Sequence, residues 1–499
     1  VPLRAARGAG TLMSKHSWLA GRAALAIVLM VSFYVLALAV AGGLLWVAYA
    51  DVAFTRHPAI RLVMFCVVGA LSVLWAIVPR PDRFDVPGPR LAAEEQPELF
   101  ALIRGVAAKT SQAMPEDVYL TNDVNAFVAQ RGGIMGVGAR RVMGLGLPLM
   151  QSLTVDEFKG VLAHEFGHYH AGDVALGPWI YKTRAAIGRT IAQLSDNVLR
   201  FIFIAYANLF LRVTHAVSRR QEFIADEVGA SVAGAAAMAS GLRKVGAAAV
   251  LYQSYWHNEL LPVVQAGFRP PVTWGFARYS ADPKVSPLFE AVAQDQESAE
   301  QNPYDTHPPL KDRVAALSRQ ASAAGAADIR PAASLLRDID ACERRLFEKI
   351  SADFASLKAL DWANVCDAVY TPMWRARVKK YGALLRDYTC LNPPATRAEL
   401  IKIGRAIIPS VVPDEVRIGA AWQLIVAAYS LTLAPLGWTA ETWPGDEVVL
   451  RRGADELRPW SELSAVVDGG TPIAAWRERC VRAGIGELIL GTEPEVVKG

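Results

Sequence analysis

An uncharged run of 28 residues, Ala23 to Ala50, constrains this chain more than any other feature. A helix rising about 1.5 Å per residue over that length exceeds a hydrocarbon core of roughly 30 Å, so the run can span a bilayer with tilt to spare. Leu62 to Val78 is a second uncharged run, just long enough to return. Only helices and closed barrels satisfy their backbone groups in lipid, so the two runs predict a helical hairpin. Ala39-Val40-Ala41 resembles a small-residue cleavage site, but the apolar run continues through Leu44, Leu45 and Trp46 and a second run follows, which disfavours a removed signal peptide.

Basic residues orient the hairpin. Arg4, Arg7, Lys15 and Arg22 precede it, Arg80, Arg83 and Arg90 follow it, and the connecting loop carries only Arg56 and Arg61. The amino terminus and everything after residue 80 are therefore expected on the cytoplasmic side of the cell (inner) membrane. The Val-Pro opening makes Met13 a candidate start residue. Two later apolar stretches are weaker. Phe201 to Leu211, bounded by Arg200 and Arg212, covers only about 16 Å and is too short to cross; Ile418 to Trp438 contains Gln423, Thr432 and Pro435 and reads as a buried core helix.

Composition agrees with a membrane protein, since 53% of residues are hydrophobic. A net charge of +4 gives no electrostatic case for nucleic acid as a partner. Five scattered cysteines without a C-x-x-C pair argue against a disulfide framework or a cysteine zinc knuckle.

Past the hairpin, apolar spacing predicts a helix over Pro97–Ser111, short strands at 118–120, 125–128 and 141–145, and a helix over Thr154–Tyr169 with Thr154 and Glu157 as a capping box. That last helix carries His164-Glu165-Phe166-Gly167-His168. Residues four apart share a helix face, so His164 and His168 can converge on one cation, with Glu165 beside it as a base towards water. H-E-x-x-H is the zinc-protease signature. A third ligand is required, and Glu222 is the best candidate. It stands four residues before Asp226 on a predicted helix, so Asp226 can hold the second ring nitrogen of a ligand histidine. His170 falls on a different helical face and is not expected to bind the same ion, and His215 and His257 read as structural.

These residues resemble the membrane-anchored zinc metallopeptidases that include the HtpX heat-shock proteases and the CAAX prenyl proteases. The resemblance rests on His164-Glu165-x-x-His168 with Asp173, on Ser218-Arg219 and Glu222 with Ala225-Asp226, on Asn125-Ala126-Phe127, and on Thr306-His307-Pro308-Pro309 with Arg313. It implies that Glu222 is the third ligand, that Asn125, Ala126 and Phe127 form a substrate edge strand, and that His307 and Arg313 join Glu165 at the reacting carbonyl. It implies one Zn2+ per chain and a protein or peptide substrate beside the lipid bilayer. Such members carry a second membrane hairpin between the two motif helices; with only Phe201–Leu211 in that interval, this chain is expected to have a single hairpin and a protease domain against the membrane face.

The expected architecture is α+β and mainly helical. It comprises an amino-terminal segment (1–22), a transmembrane hairpin (23–80), a zincin-like metallopeptidase domain with a small sheet (90–325), and a mixed carboxyl-terminal extension (330–499). In that extension Leu335 to Phe354 has helical spacing, Glu447 to Leu457 reads as a hairpin, and Trp460 begins a short helix. The expected function is a membrane-anchored zinc endopeptidase in membrane-protein quality control or processing. The alternative is a zinc-stabilised scaffold whose extension binds a partner; a purely structural site would have no use for Glu165.

Overall fold

The computed structural model describes residues 5–78, 84–133, 138–169, 177–194, 198–298, 307–320 and 327–491. Arg4, Arg80, Arg83, His170, Asp173 and Thr306 lie outside them. The chain forms two compact units, Val1–Ala249 with Val292–Lys349, and Val250–Ala291 with Ile350–Gly499. The fold is mainly helical, with small sheets.

In the first unit, α1 (Ala5–Phe54) and α2 (Ile60–Ile77) form the amino-terminal apolar pair. Large side chains such as Val28, Val31, Val35, Val68, Leu71 and Trp75 face outward, as a lipid-exposed surface requires. The inward residues Phe33, Ala37, Ala70 and Val73 share one core with Ala186 and Ile187 of α6 (Gly177–Gln193) and with Phe203 and Phe210 of α7 (Arg200–Ala233). Tyr206 and Ser32 bond across α7 and α1 at 2.6 Å, and Arg189 Nε donates to the Ala76 carbonyl at 3.1 Å.

The expected amino-terminal hairpin is present as α1 and α2, and the expectation that differs is the length of the later apolar stretch. Phe201–Leu211 is not an isolated short stretch but the start of a 34-residue helix, and α6 with α7 makes a second helical pair packed on the first. Arg200 begins the helix but Arg212 does not end it, because a long basic side chain can reach away from an apolar segment while its stem stays in it. Among the described residues, four helices are long and apolar enough to cross a membrane: Ala24–Phe54, Ile60–Ile77, Arg200–Ala233 and Asp414–Leu436.

The remaining part of the first unit is a helix-on-sheet layer. β1 (Arg90–Leu91), β2 (Asp117–Thr121), β3 (Ala126–Arg131) and β4 (Arg140–Gly146) pair in the order β1-β2-β4-β3, with β2 and β4 parallel and the other pairs antiparallel. β3 is thus an edge strand. α3 (Pro97–Lys109) starts with proline, which lacks the amide a first turn leaves unpaired. Its Leu99, Ile103 and Val106 bury against Phe158, Leu162 and Phe166 of α5 (Val155–Gly167) and against Val118, Leu120, Met143 and Leu145 of the sheet. Burying each such side chain contributes about 1.5–3 kcal/mol. The short α4 (Leu147–Ser152) leads into Thr154, whose side chain and Glu157 form the capping box. Glu157 also takes Ser240 Oγ at 2.6 Å and Lys244 Nζ at 2.8 Å from α8 (Ala235–Tyr255).

Residues 332–346 belong to this core too, through Ala332, Leu335, Cys342 and Leu346. The helical spacing expected from 335 to 354 is divided among a 3-10 turn (Ala332–Leu335) and helices Ile339–Ile350 and Ala352–Ser356.

The second unit draws in residues 250–291, which lie inside the continuous 90–325 segment expected from sequence. Phe268–Arg269 pairs with Lys358–Ala359, and Trp362 Nε1 donates to the Pro271 carbonyl at 2.9 Å. The central helix, Asp414–Leu433, is buried nearly all round, including Trp422, Leu424, Ile425, Ala428 and Tyr429. A helix apolar on every face needs either lipid or a protein shell, and helices Thr371–Tyr381, Arg397–Ile407 and Pro459–Val467 supply the shell here. Gly404 makes this possible: a Cβ there would stand 2.1 Å from the Arg417 carbonyl oxygen. A three-stranded meander, Thr439–Glu441, Val449–Arg452 and Asp455–Leu457, completes the unit.

Candidate metal centre

Two helices that pack unusually closely build the site. α5 presents Gly160 and Gly167 on one face, seven residues apart, and α7 answers with Ala225 and Gly229. A Cβ on Gly167 would lie 2.9 Å from Ala225 Cα, and one on Gly229 would lie 2.9 Å from the Gly160 carbonyl oxygen. With no side chain between them, the backbones approach until side chains one turn away meet across the interface.

Those side chains are His164, His168 and Glu222. Their ligand atoms all lie within 4.8 Å of one another. His164 Nε2 is 3.6 Å from Glu222 Oε2, and His168 Nε2 is 3.7 Å from Glu222 Oε1. The rings stand edge to face, with centroids 4.7 Å apart. Two ligands each about 2.0–2.1 Å from a tetrahedral zinc ion lie about 3.4 Å apart, close to these spacings. Glu222 is buried, and a carboxylate taken out of water is costly unless cationic or hydrogen-bonding groups answer it. Two imidazoles and a carboxylate are also the donor set of a hydrolytic zinc site. The residues therefore fit the metal.

Surrounding groups hold the ligands. His164 Nδ1 lies 2.9 Å from Asp226 Oδ1. Arg313, from the helix Leu310–Leu317, grips Asp226 with two bonds of 2.8 and 2.6 Å and reaches Glu222 Oε2 at 3.2 Å. The buried guanidinium is thus matched by two buried carboxylates, which raise its pKa. His307 is more exposed and stands 3.1 Å from Glu222 Oε2 through Nδ1. Burial beside His164 pushes the His168 imidazole down to about 4, so its lone pair is free at neutral pH. Burial pushes the Glu165 carboxyl up to about 7, an effect His164 opposes and Glu222 adds to.

The structure brings His164, Glu165, His168, Glu222, Asp226, His307 and Arg313 into one cluster. Asn125, Ala126 and Phe127 sit differently. Asn125 gives its carbonyl to the Gly146 amide at 2.9 Å, and Phe127 lays its ring across Gly144, where a Cβ would be only 2.2 Å away. The edge-strand residue that reaches the base is Val128, whose amide donates to Glu165. Val128 also accepts Tyr169 OH at 2.9 Å, and Arg141 stacks over that tyrosine at 4.7 Å. Sequence reading misses Val128 and Tyr169; the alternation along β3 and the position of Tyr169 one turn after Glu165 are the signals that point to them. Of the histidines read as structural, His215 is buried on α7, and His257 is exposed with Nδ1 2.8 Å from the Gln253 carbonyl.

An H-E-x-x-H helix beside an edge strand, with a glutamate supplied by a following helix, defines a metallopeptidase. Residues 93–321 match peptidase family M48, and the chain is similar to HtpX proteases. It is 27% identical over 251 residues to a "Protease HtpX homolog" of Pelotomaculum thermopropionicum, covering 46% of this chain and 78% of that one. It is 25% identical over 287 residues to "Protease HtpX" of Hahella chejuensis, covering 52% and 85%. A further "Protease HtpX homolog", from Archaeoglobus fulgidus, is 25% identical over 236 residues, covering 44% and 67%. No solved structure matches the chain significantly.

Proposed function

We propose that this chain is a zinc endopeptidase anchored in the inner membrane, with its peptidase domain on the cytoplasmic side, cutting membrane or unfolded proteins in quality control or processing. The observation that carries the reading is the convergence of two histidines and Glu222 with a carboxyl poised near neutrality beside them. His164, His168 and Glu222 would hold one Zn2+. The ion, when bound, supplies Lewis acidity, acidifying water and polarising a carbonyl.

The chain's residues do the rest. Glu165, with a pKa near the working range, takes a proton from water and passes it to the leaving amine. Val128 and Tyr169 fix the strand beside that carboxyl. Asp226 sets the tautomer and angle of His164, and Arg313 holds Asp226 and Glu222 in place while lending positive charge to the site. His307, the more exposed of the two candidate oxyanion partners, is the better placed to meet substrate. Asn125, Ala126 and Phe127 lead the extended peptide onto the sheet edge.

The cytoplasmic placement is supported by the basic residues flanking α1 and α2. The test is to strip metal from the detergent-purified protein and follow casein hydrolysis. Activity is expected to vanish and to return with one zinc per chain; metal-free protein cleaving at the original rate would overturn the proposal.

A further inference from the structure

A cavity of about 320 Å³ is formed by residues of the second unit alone, none of them in the metal centre. Tyr370, Met373, Trp374 and Arg377 line it at positions i, i+3, i+4 and i+7, one continuous helical face. Tyr370 and Trp374 stack at 6.2 Å and 18°, and Trp460, also in the wall, stacks on Trp422. Two single π-helical turns border the space: Trp256–Leu260, which contains Glu259, and Cys366–Tyr370. Such turns cost helix regularity and occur frequently at functional sites. An aromatic cavity of this size with a few polar groups is the ordinary form of a small-molecule site.

The charges select the ligand. Asp446 and Glu447 are answered by Lys284 at 3.2 and 2.7 Å and by Arg458 at 3.5 and 3.7 Å. Among the described residues no carboxylate answers Arg377. It donates a hydrogen bond to Gln423 Oε1 at 2.6 Å, and burial lowers its pKa. A guanidinium has five N–H donors in a planar fork that matches a carboxylate. Glu259, also in the lining, accepts the Gly445 amide at 3.5 Å, and burial raises its carboxyl to about 7. It can therefore donate a hydrogen bond near neutral pH.

We propose that this cleft binds a small carboxylate with an aromatic or large apolar body, the carboxylate held by Arg377 and the body lying against Tyr370, Trp374 and Trp460. Glu259 meets a second polar group on the ligand. The proposal is independent of the peptidase reading.

Isothermal titration of the full-length protein in detergent tests it. N-acetyl-L-phenylalanine presents the end of a peptide, indole-3-acetate presents a free aryl acid, and N-acetyl-L-phenylalanine amide removes the charge. Saturable binding of at least one acid, with the amide at least about tenfold weaker, is expected; whichever acid binds tighter tells peptide termini from free acids as the source. Arg377→Gln should weaken binding about ten- to a hundredfold, and Arg375→Gln, on the same helix but outside the lining, should not. Met373→Trp, which fills the cleft and leaves the charges in place, should abolish binding even if Arg377→Gln fails to fold. The proposal is overturned if neither acid binds at millimolar concentration, if the amide binds as well as the acid, or if Met373→Trp or folded Arg377→Gln binds like the parent.

Discussion

Gly167→Ala should damage the metal centre without touching a ligand. The added Cβ would meet Ala225 Cα at 2.9 Å, Val228 Cβ at 3.2 Å and Ala225 Cβ at 3.3 Å. Carbon atoms rest about 3.5–4.0 Å apart, so α5 and α7 must separate by roughly 0.6–1 Å at this point. The backbone contact leaves no flexible side chain to yield. Metal sites tolerate ligand displacements of about 0.2 Å, and Glu222 stands on α7 one turn from Ala225, so the shift reaches it nearly undiminished. Overpacking of this kind costs about 1–3 kcal/mol, which corresponds to about a 5- to 150-fold loss of zinc affinity if it falls on the bound state. Chelator competition on purified protein measures that affinity, and thermal unfolding measures the stability. Gly105→Ala is the control, because nothing lies within 4 Å of a Cβ there; it should stabilise by about 0.5–1 kcal/mol through helix propensity alone. Gly167→Ala protein that binds zinc as tightly as the parent and melts at the same temperature would refute the close-approach argument.

Three further outcomes follow. Asp226→Asn, which keeps shape but weakens the hold on His164, should lower zinc affinity about 10- to 100-fold by the same chelator competition, and unaltered affinity would deny Asp226 its positioning role. Arg313→Gln leaves two buried carboxylates without their cation and should cost about 3–5 kcal/mol in denaturant unfolding, with Arg313→Lys recovering part; a loss below 1 kcal/mol would contradict it. Glu259 has its carboxyl raised from 4.5 to about 7, so the folded state holds the proton more tightly and stability falls as pH rises between those values. Glu259→Gln should then add about 3 kcal/mol at pH 8 and nothing at pH 4, and equal effects at both would show that the group is not desolvated.

What was legible in the sequence was mostly local. The Thr154–Glu157 cap, the strands of the small sheet and the pairing of Glu222 with Asp226 on one helix face depend on residues a few positions apart, where backbone geometry decides who meets whom. Ile418–Trp438 was readable as a core helix because Gln423, Thr432 and Pro435 interrupt it, and the structure buries it in a protein shell. The second helical pair was not readable, because Arg212 marks an end that the helix does not have. Nor could spacing show that residues 250–291 join the carboxyl-terminal unit, which depends on the Phe268–Lys358 pairing, or that Arg313 would grip Asp226. The close approach that the glycines of α5 and α7 allow appears only when the two helices lie together.

The most direct measurement is casein cleavage by Glu165→Gln beside the parent, with zinc content determined on the same samples. The substitution removes the base but none of the three ligands, so the variant should keep one zinc per chain and cleave about 10²–10⁴-fold more slowly. A variant that holds its zinc and cleaves as fast as the parent would contradict the account at its centre.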